Sequence, residues 1–341
     1  MKKTLLLVAP LALGLAACEP EDDPVANPES GRCEATEYMA FDPVNHAPQD
    51  ARLDAIDRMI ALFAEAAADP TLAAAKAQEI RAIYESPSTN LAAKVEGRKD
   101  VHDPDAPLGA ESKAAVDGAL QMLEDATTPT EVSLAKQRFE KAGMYRFLFH
   151  SVLYELWSPS RKHYDEAYGY LGTGETNLPG GRRGLASVAT KRDAVNGTTL
   201  AEELFIQLLD GACLLETALN ERGADEMEVD DDPAYLASVQ AMDRTLRRVI
   251  AYSIGHELFE LGKAGADVDA ARIKLAEADG YFSILERALL RGDAAETALA
   301  TELREAIDDA AAATDDGWIA DFPVDHLLDL LQEAFSITVK G

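Results

Sequence analysis

Residues 50–63 read DARLDAIDRMIALF, and the spacing of their apolar side chains is that of an α-helix. Asp50 is of the residue type preferred immediately before a helix. The large apolar side chains follow it at intervals of three and four residues, which places them on one helical face. They are Leu53, Ile56, Ile60 and Phe63. Because this periodicity recurs along the chain and no convincing series of strands interrupts it, the sequence predicts an all-α fold.

Proline, glycine and capping residues divide the pattern into about nine helices. Thr128 and Pro129, for example, have the residue types of an N-cap and of a first helical turn. The predicted helices span 50–68, 70–85, 110–126, 129–157, 198–225, 232–261, 267–291, 293–312 and 323–335. One further turn is expected within 91–95. This number of helices suits two packed bundles better than a single four-helix bundle.

Composition divides the chain into three parts. Residues 1–17 have the features of a signal peptide, and residues 18–49 begin with repeated proline and acidic residues, as expected for a disordered tether. Residues 50–341 form the predicted helical body. A glycine-rich stretch within 172–197 is the predicted boundary between two halves of that body.

The amino-terminal segment predicts a lipid anchor. A basic head is followed by an apolar run at 5–15, which has the length of a signal-peptide core and is too short to span a membrane. Small residues then precede Cys18, as in the lipobox of bacterial lipoproteins, so acylation of Cys18 is expected. Several acyl chains would hold the mature protein stably on a bilayer. Glu19 differs from the Asp of an inner-membrane retention signal, which favours the outer membrane, on either face.

The charge of the chain excludes one class of partner. Among 341 residues, 61 are Asp or Glu and 32 are Lys or Arg, a formal net charge of −29. A surface this negative repels phosphate backbones, so no nucleic-acid partner is expected. Hydrophobic residues at 47% and charged residues at 27% are ordinary values for a globular protein with a substantial core.

The first candidate site lies in the segment SPSRKHYDEAYGYLG, residues 158–172. His163 and Glu166 are three residues apart and share a helical face. A histidine and a carboxylate so placed are two candidate ligands for a divalent metal or iron, or a general base with its orienting partner. The alternative is structural: a helix start whose acids suit the helix dipole and whose tyrosines pack against a neighbour.

The second candidate site lies in residues 252–260, YSIGHELFE. His256 and Glu260 are one helical turn apart and are two further candidate metal ligands. The alternative is a partly buried histidine bonded to Glu260. Gly255 lowers helix stability, so close approach of another helix is its expected reason.

Three other residues carry structural predictions. His150 is expected in the core, bonded to Tyr154 one turn later. Cys33 and Cys213 are the two cysteines that remain after acylation of Cys18, and an oxidising compartment would permit a disulfide between them. The alternative for Cys213 is a buried free thiol among leucines.

The run His163–Gly172 resembles the His-aromatic-Asp-Glu-Ala-aromatic-Gly-Tyr-aromatic-Gly signature of an uncharacterised family of helical bacterial lipoproteins. Leu171 replaces the usual aromatic residue and Tyr164 the usual tryptophan. That resemblance implies a helical fold and an envelope location, with His256 representing a histidine in a late helix. A remoter likeness is to imelysin-like proteins, which are periplasmic two-bundle proteins linked to iron uptake. Their Gly-x-His-x-x-Glu motif is one residue out of step on either side of His256.

These observations leave three functional hypotheses. The first is a non-enzymatic, membrane-anchored binding lipoprotein that uses the cleft between its halves to bind a metal, a metal complex or a partner protein of the envelope. The second is a metallopeptidase-like hydrolase with His256 and Glu260 as ligands and Glu257 or Glu166 as the base. The third is a structural envelope protein without a ligand.

Overall fold

The computed structural model describes residues 46–172, 183–313 and 315–340. Over these ranges the regular structure is helical, and the only β-type pairing is an isolated bridge between Ser160 and Glu226. The predicted all-α fold is therefore confirmed. The predicted signal peptide, Cys18, Cys33 and nearly all of the predicted tether lie outside the described residues.

The helices follow the predicted order with a few differences. They are α1 (Ala47–Ala68), α2 (Ala73–Tyr84), α3 (Leu91–Glu96), α4 (Leu108–Asp125), α5 (Pro129–Gln137), α6 (Arg146–Leu156), α7 (Arg161–Leu171), α8 (Gly184–Asn196), α9 (Leu200–Arg222), α10 (Pro233–Ala264), α11 (Val268–Leu289), α12 (Ala294–Ala312), α13 (Trp318–Asp321) and α14 (Val324–Phe335). None of the helices in the described ranges is long and apolar enough to span a bilayer.

Local capping chemistry sets several of these boundaries. The Thr128 hydroxyl accepts from the backbone N–H of Glu131, and the Glu131 carboxylate accepts from that of Thr128, so α5 begins in a complete capping box. Asp50 is not the cap of α1, because that helix already begins at Ala47. Pro48 has a backbone that suits the first helical turn, so the helix starts earlier than predicted.

The predicted helix 129–157 is interrupted by a π-helical segment, Arg138–Tyr145. This wider turn lies in the core, where Phe139 packs 5.2 Å from the ring of Phe63. The segment also buries the charged side chains of Glu140 and Lys141, joined by an ion pair of 2.8 Å. A π segment inserts an additional residue into the helical ladder, which periodicity in the sequence does not reveal.

Helix α8 was not predicted. It begins at Gly184, which has a left-handed backbone (φ 53°), and it buries Leu185, Val188 and Ala189. The glycine-rich sequence before this helix obscured its short apolar pattern. The predicted boundary between halves therefore contains a helix, and the rest of that stretch, residues 173–182, lies outside the described residues.

One continuous hydrophobic core joins the two predicted halves. Helix α11 packs against α10, against α5 and against the π-helical segment. The close approach expected at Gly255 is confirmed: a Cβ there would lie 2.6 Å from a methyl group of Val339 and 2.9 Å from one of Leu331. Helix α14 and the segment after it thus pack against α10 at Gly255.

Candidate functional site

His163 is oriented by a carboxylate that the sequence analysis did not identify. The residue lies in the first turn of α7, where the Ser160 hydroxyl accepts from its backbone N–H at 3.1 Å. Its Nδ1 atom lies 2.6 Å from Oε2 of Glu155, near the end of α6. The other oxygen of Glu155 accepts from Arg98 at 3.1 Å. The orienting partner of His163 is therefore Glu155 and not Glu166.

Arg98 and Glu155 form a buried ion pair with aromatic walls. Their side chains are 5% and 3% exposed. The Arg98 guanidinium carbon lies 4.7 Å from the ring centre of Tyr154 and 5.5 Å from that of Tyr170. Arg52 donates to the Tyr170 hydroxyl at 2.9 Å. The three tyrosines of the signature segment, Tyr164, Tyr168 and Tyr170, are all buried in the core. This agrees with the structural alternative.

Glu166 has a partner of its own. The Nζ atom of Lys162, one turn earlier on α7, lies 3.7 Å from its carboxylate. The Glu166 side chain is 13% exposed. Glu166 therefore forms an ion pair within α7. No hydrogen bond joins it to His163 within the described structure.

His256 is half-buried and lacks the predicted bond to Glu260. Its Nδ1 atom has no hydrogen-bond partner, while Glu260 accepts from Lys263 at 3.1 Å. Burial, and after it the positive charge of Arg192, lowers the pKa of His256 to about 4. The imidazole is consequently neutral near pH 7.

Glu257 points into the core next to two cations. Its carboxylate accepts from Lys274 at 2.8 Å and lies 3.7 Å from a nitrogen of Arg192. Burial, and then the neighbouring carboxyl of Glu257, raises the pKa of Glu277. Glu257 is thus held in an ion-pair network, which does not favour the role of a free general base.

The four predicted metal ligands have separate surroundings. Within 46–172, 183–313 and 315–340, no three His, Cys, Asp or Glu side chains form a group that could hold a metal ion. His163 contacts Glu155, Glu166 contacts Lys162, and Glu260 contacts Lys263. The structure therefore does not assemble a shared metal site from these residues.

Cys213 is disulfide-bonded, so the alternative of a free thiol is wrong. Cys33 lies outside the described residues, and its pairing with Cys213 stays a prediction.

A small cavity lies between α6, α10, α11 and the loop after α3. Six of its twelve lining residues precede the predicted boundary in the chain and six follow it. We call it the inter-half cavity and define it by His102, Arg146 and His150 on one side and Arg247, Arg287 and Arg291 on the other. The space open to the centre of a water-sized sphere is about 10 Å³. That is room for about one small group.

Carboxylates surround the four arginines of the inter-half cavity. Glu111 pairs with both Arg146 and Arg287. Asp243 accepts from Arg247 at 2.8 Å and lies 3.0 Å from Nε2 of His102. Arg291 donates to Asp103 at 2.7 Å and to Asp100 at 3.4 Å. The four guanidinium charges are thus matched by four carboxylates.

Two buried nitrogen atoms of the cavity lining have no partner. His150 is 6% exposed and its Nδ1 atom makes no hydrogen bond. Arg146 is 8% exposed and its Nε–H makes none either. Burial lowers the pKa of His150 to about 3; the charge of Asp100 raises it and that of Arg146 lowers it. The predicted core position of His150 is confirmed, but its predicted bond to Tyr154 is absent.

The cavity has a deep end and a mouth. The buried side chains of Arg146 and His150 form the deep end, whereas the side chains of Arg287, Arg291 and His102 are 35%, 38% and 30% exposed. This arginine cluster was not predicted from the sequence. The spacing of Arg287 and Arg291 places them on one face of a helical turn, but nothing local indicates that His150 lies opposite them.

The chain was compared with family models, with curated proteins and with solved structures, and none of the three comparisons gave a match.

Proposed function

We propose that this chain is a lipid-anchored, non-enzymatic binding protein of the bacterial cell envelope, and that its ligand site is the inter-half cavity. The observation that carries the proposal is a largely enclosed space whose lining includes four arginines and two histidines, from both sides of the predicted boundary. Binding sites in helical proteins commonly lie between packed helices, with a few convergent polar groups. A ligand group in this space would contact both halves at once.

The surroundings of the other candidate residues favour binding over hydrolysis. A general base must be free to take a proton from its substrate or from water. Glu257 lies between Lys274 and Arg192, and Glu166 is paired with Lys162. His163 is oriented by Glu155, but within the described structure no nucleophilic side chain is hydrogen-bonded to its ring. Ligand binding does not require a free general base, so it fits these surroundings better than hydrolysis does.

The anchor is the second part of the proposal. Cys18 follows an apolar segment and small residues, as expected for an acylated lipoprotein cysteine. Fractionation of bacteria that express the full chain tests it. The wild-type chain should sediment with membranes and carry acyl mass on its amino-terminal peptide. A Cys18→Ser variant should lose both; unchanged membrane association without acyl mass would contradict the anchor.

Ligand binding is tested by thermal shift on the full chain in detergent. The probes are sodium formate, sodium chloride, calcium isethionate and formamide, which cover small anions, a cation and a small neutral molecule. We expect at least one probe to raise the melting temperature of the wild-type chain. Ala288→Leu places a larger side chain in the cavity lining and should abolish that rise.

Ala67→Leu is the matched control, because Ala67 is also partly buried but belongs to α1. It should keep the response of the wild-type chain. If no probe acts on the wild type, or if Ala288→Leu responds as the wild type does, the inter-half cavity is not the ligand site.

A further inference from the structure

We infer that the group bound in the inter-half cavity is a small monovalent anion, either a free halide or formate-sized carboxylate or the carboxylate end of a larger ligand. This inference rests on the proposed function and names the chemical class of its ligand. It follows from the unpartnered donors, the local charge and the size of the cavity.

The unpartnered nitrogen atoms call for an acceptor. The Nε–H of Arg146 is a donor under all conditions, and Nδ1 of a neutral His150 is a donor in one of its two tautomers. Both residues line the cavity and both are more than nine-tenths buried. A buried donor without an acceptor is energetically unfavourable, so native proteins rarely keep one. One anion between the two atoms would accept from both.

The local charge selects an anion. Four arginines meet at this cavity in a chain whose net charge is −29. The overall field of such a chain repels anions, so anion binding requires a local concentration of positive groups. Charge-assisted hydrogen bonds from arginine to a carboxylate or halide are strong and can be oriented by the planar guanidinium. A cation would instead face four guanidinium groups and a single lining carboxylate, that of Asp100.

The nearby acids limit the charge of the ligand. Asp100, Asp103, Glu111 and Asp243 already balance the four arginines one for one. A single added negative charge is then the most that the arginines can share without large repulsion from these carboxylates. The space of about 10 Å³ likewise accommodates one small group rather than a phosphate.

The mouth provides the route of entry. Arg287 and Arg291 are partly exposed, so they can meet an anion before it reaches the buried side chains of Arg146 and His150. If the anion belongs to a larger ligand, the rest of that ligand would remain at the mouth.

Calorimetric titration of the full chain in detergent tests the inference. The probes are sodium formate, sodium chloride and sodium phosphate in a background of isethionate, which has no carboxylate, at constant ionic strength, together with formamide, the neutral isostere of formate. We expect saturable binding of formate and chloride, weaker binding of phosphate by about tenfold or more, and no binding of formamide. Comparable binding of formate and formamide would overturn the inference.

Paired variants locate the binding. Arg287→Gln with Arg291→Gln should weaken formate binding by about tenfold or more, because two positive charges that line the cavity are lost. Arg222→Gln with Arg272→Gln removes the same charge from side chains that are 41% and 52% exposed and lie outside the cavity, and should change affinity less than about twofold. Equal losses in the two double variants would indicate a general charge effect and overturn the inference. If the first variant does not fold, Arg291→Gln alone takes its place.

The Ala288→Leu variant separates this inference from the proposed function. If Ala288→Leu abolishes binding of formamide or calcium while formate binds nowhere, the cavity is a ligand site but its ligand is not an anion. If formate binds equally to the wild type and to Ala288→Leu, the anion lies elsewhere and the inference is wrong.

Discussion

The Nδ1 atom of His163 lies 2.6 Å from Oε2 of Glu155, a buried carboxylate eight residues earlier in the chain. This bond crosses the turn between α6 and α7 and ties the start of α7 to the core. Since Arg98 donates to the other oxygen of the same carboxylate at 3.1 Å, Glu155 holds two elements of the amino-terminal half together. The histidine of the signature segment is thus positioned by a residue outside that segment.

Removal of the Glu155 charge should destabilise the fold. Glu155→Gln keeps the shape of the side chain but leaves the Arg98 guanidinium, 5% exposed, without a counter-charge. Breaking a buried pair in this way costs about 3–5 kcal/mol. Urea unfolding followed by circular dichroism measures the change.

Glu166→Gln is the control for Glu155→Gln, because it removes the same charge from a carboxylate whose partner Lys162 is 71% exposed. Its expected cost is below about 1 kcal/mol. Equal destabilisation by the two variants would show that the buried Arg98–Glu155 pair contributes no more to the stability of the fold than the Lys162–Glu166 pair does.

The sequence predicted the helices whose boundaries depend on neighbouring residues. Thr128 and Glu131 form their capping box within one turn, and Asp232 and Asp293 cap α10 and α12 in the same local manner. Periodicity failed where tertiary packing decides, as in the π-helical segment that Gly143 allows to approach Val116. Local patterns contain no record of such contacts.

The candidate site was harder to predict than the fold. His163 was singled out from the sequence, but the choice of Glu166 as its partner assumed that the relevant carboxylate lies on the same helix. The inter-half cavity joins Asp100 to Arg291, which are 191 residues apart in the chain. One sequence contains no information on which distant arginines converge, because that depends on how helices pack.

Gly280 allows α11 to approach the π-helical segment, and a larger residue should separate them. A Cβ at this position would lie 2.5 Å from Cβ of Lys141 and 3.5 Å from the backbone nitrogen of Ala142. Although alanine favours a helix by about 1 kcal/mol over glycine, overpacking of this kind costs about 1–3 kcal/mol. We expect Gly280→Ala to lower the free energy of unfolding in a denaturant titration.

Gly262→Ala is a matched helical control for Gly280→Ala, since its nearest contact would be a Val324 methyl group at 3.3 Å. That neighbour can shift, so the change should be neutral or slightly stabilising. A stabilising effect of Gly280→Ala would mean that α11 and the π-helical segment have room to move apart.

The disulfide of Cys213 should join it to Cys33. Cys213 is disulfide-bonded, and Cys18 is the expected acylation site, which leaves Cys33 as its partner. Peptide mapping of the mature protein without reductant should find these two cysteines in one linked peptide pair. Closure of so long a loop is worth about 5 kcal/mol at most, so reduction should lower the melting temperature. Recovery of Cys33 as a free thiol would contradict the pairing.

His150 should make the stability of the fold depend on pH between about 6.5 and 3. Burial lowers its pKa from 6.5 to about 3 in the folded chain, so the unfolded chain binds the proton first as the pH falls. The stabilisation from a neutral His150 is therefore complete above pH 6.5 and is lost progressively down to pH 3. Asp100, Arg146, Asp243 and Arg247 also act on this titration. We expect a loss on the order of a few kcal/mol, measured by urea unfolding at pH 4, 5, 6 and 7.

His150→Phe isolates this contribution, because phenylalanine fills a similar volume and does not titrate. The carboxylates titrate in both proteins, so the difference between the two pH profiles belongs to His150. The variant should lose less stability than the wild type between pH 7 and 4. Parallel profiles would mean that His150 has a similar pKa in the folded and unfolded chains, which would place a compensating negative charge next to its ring in the inter-half cavity.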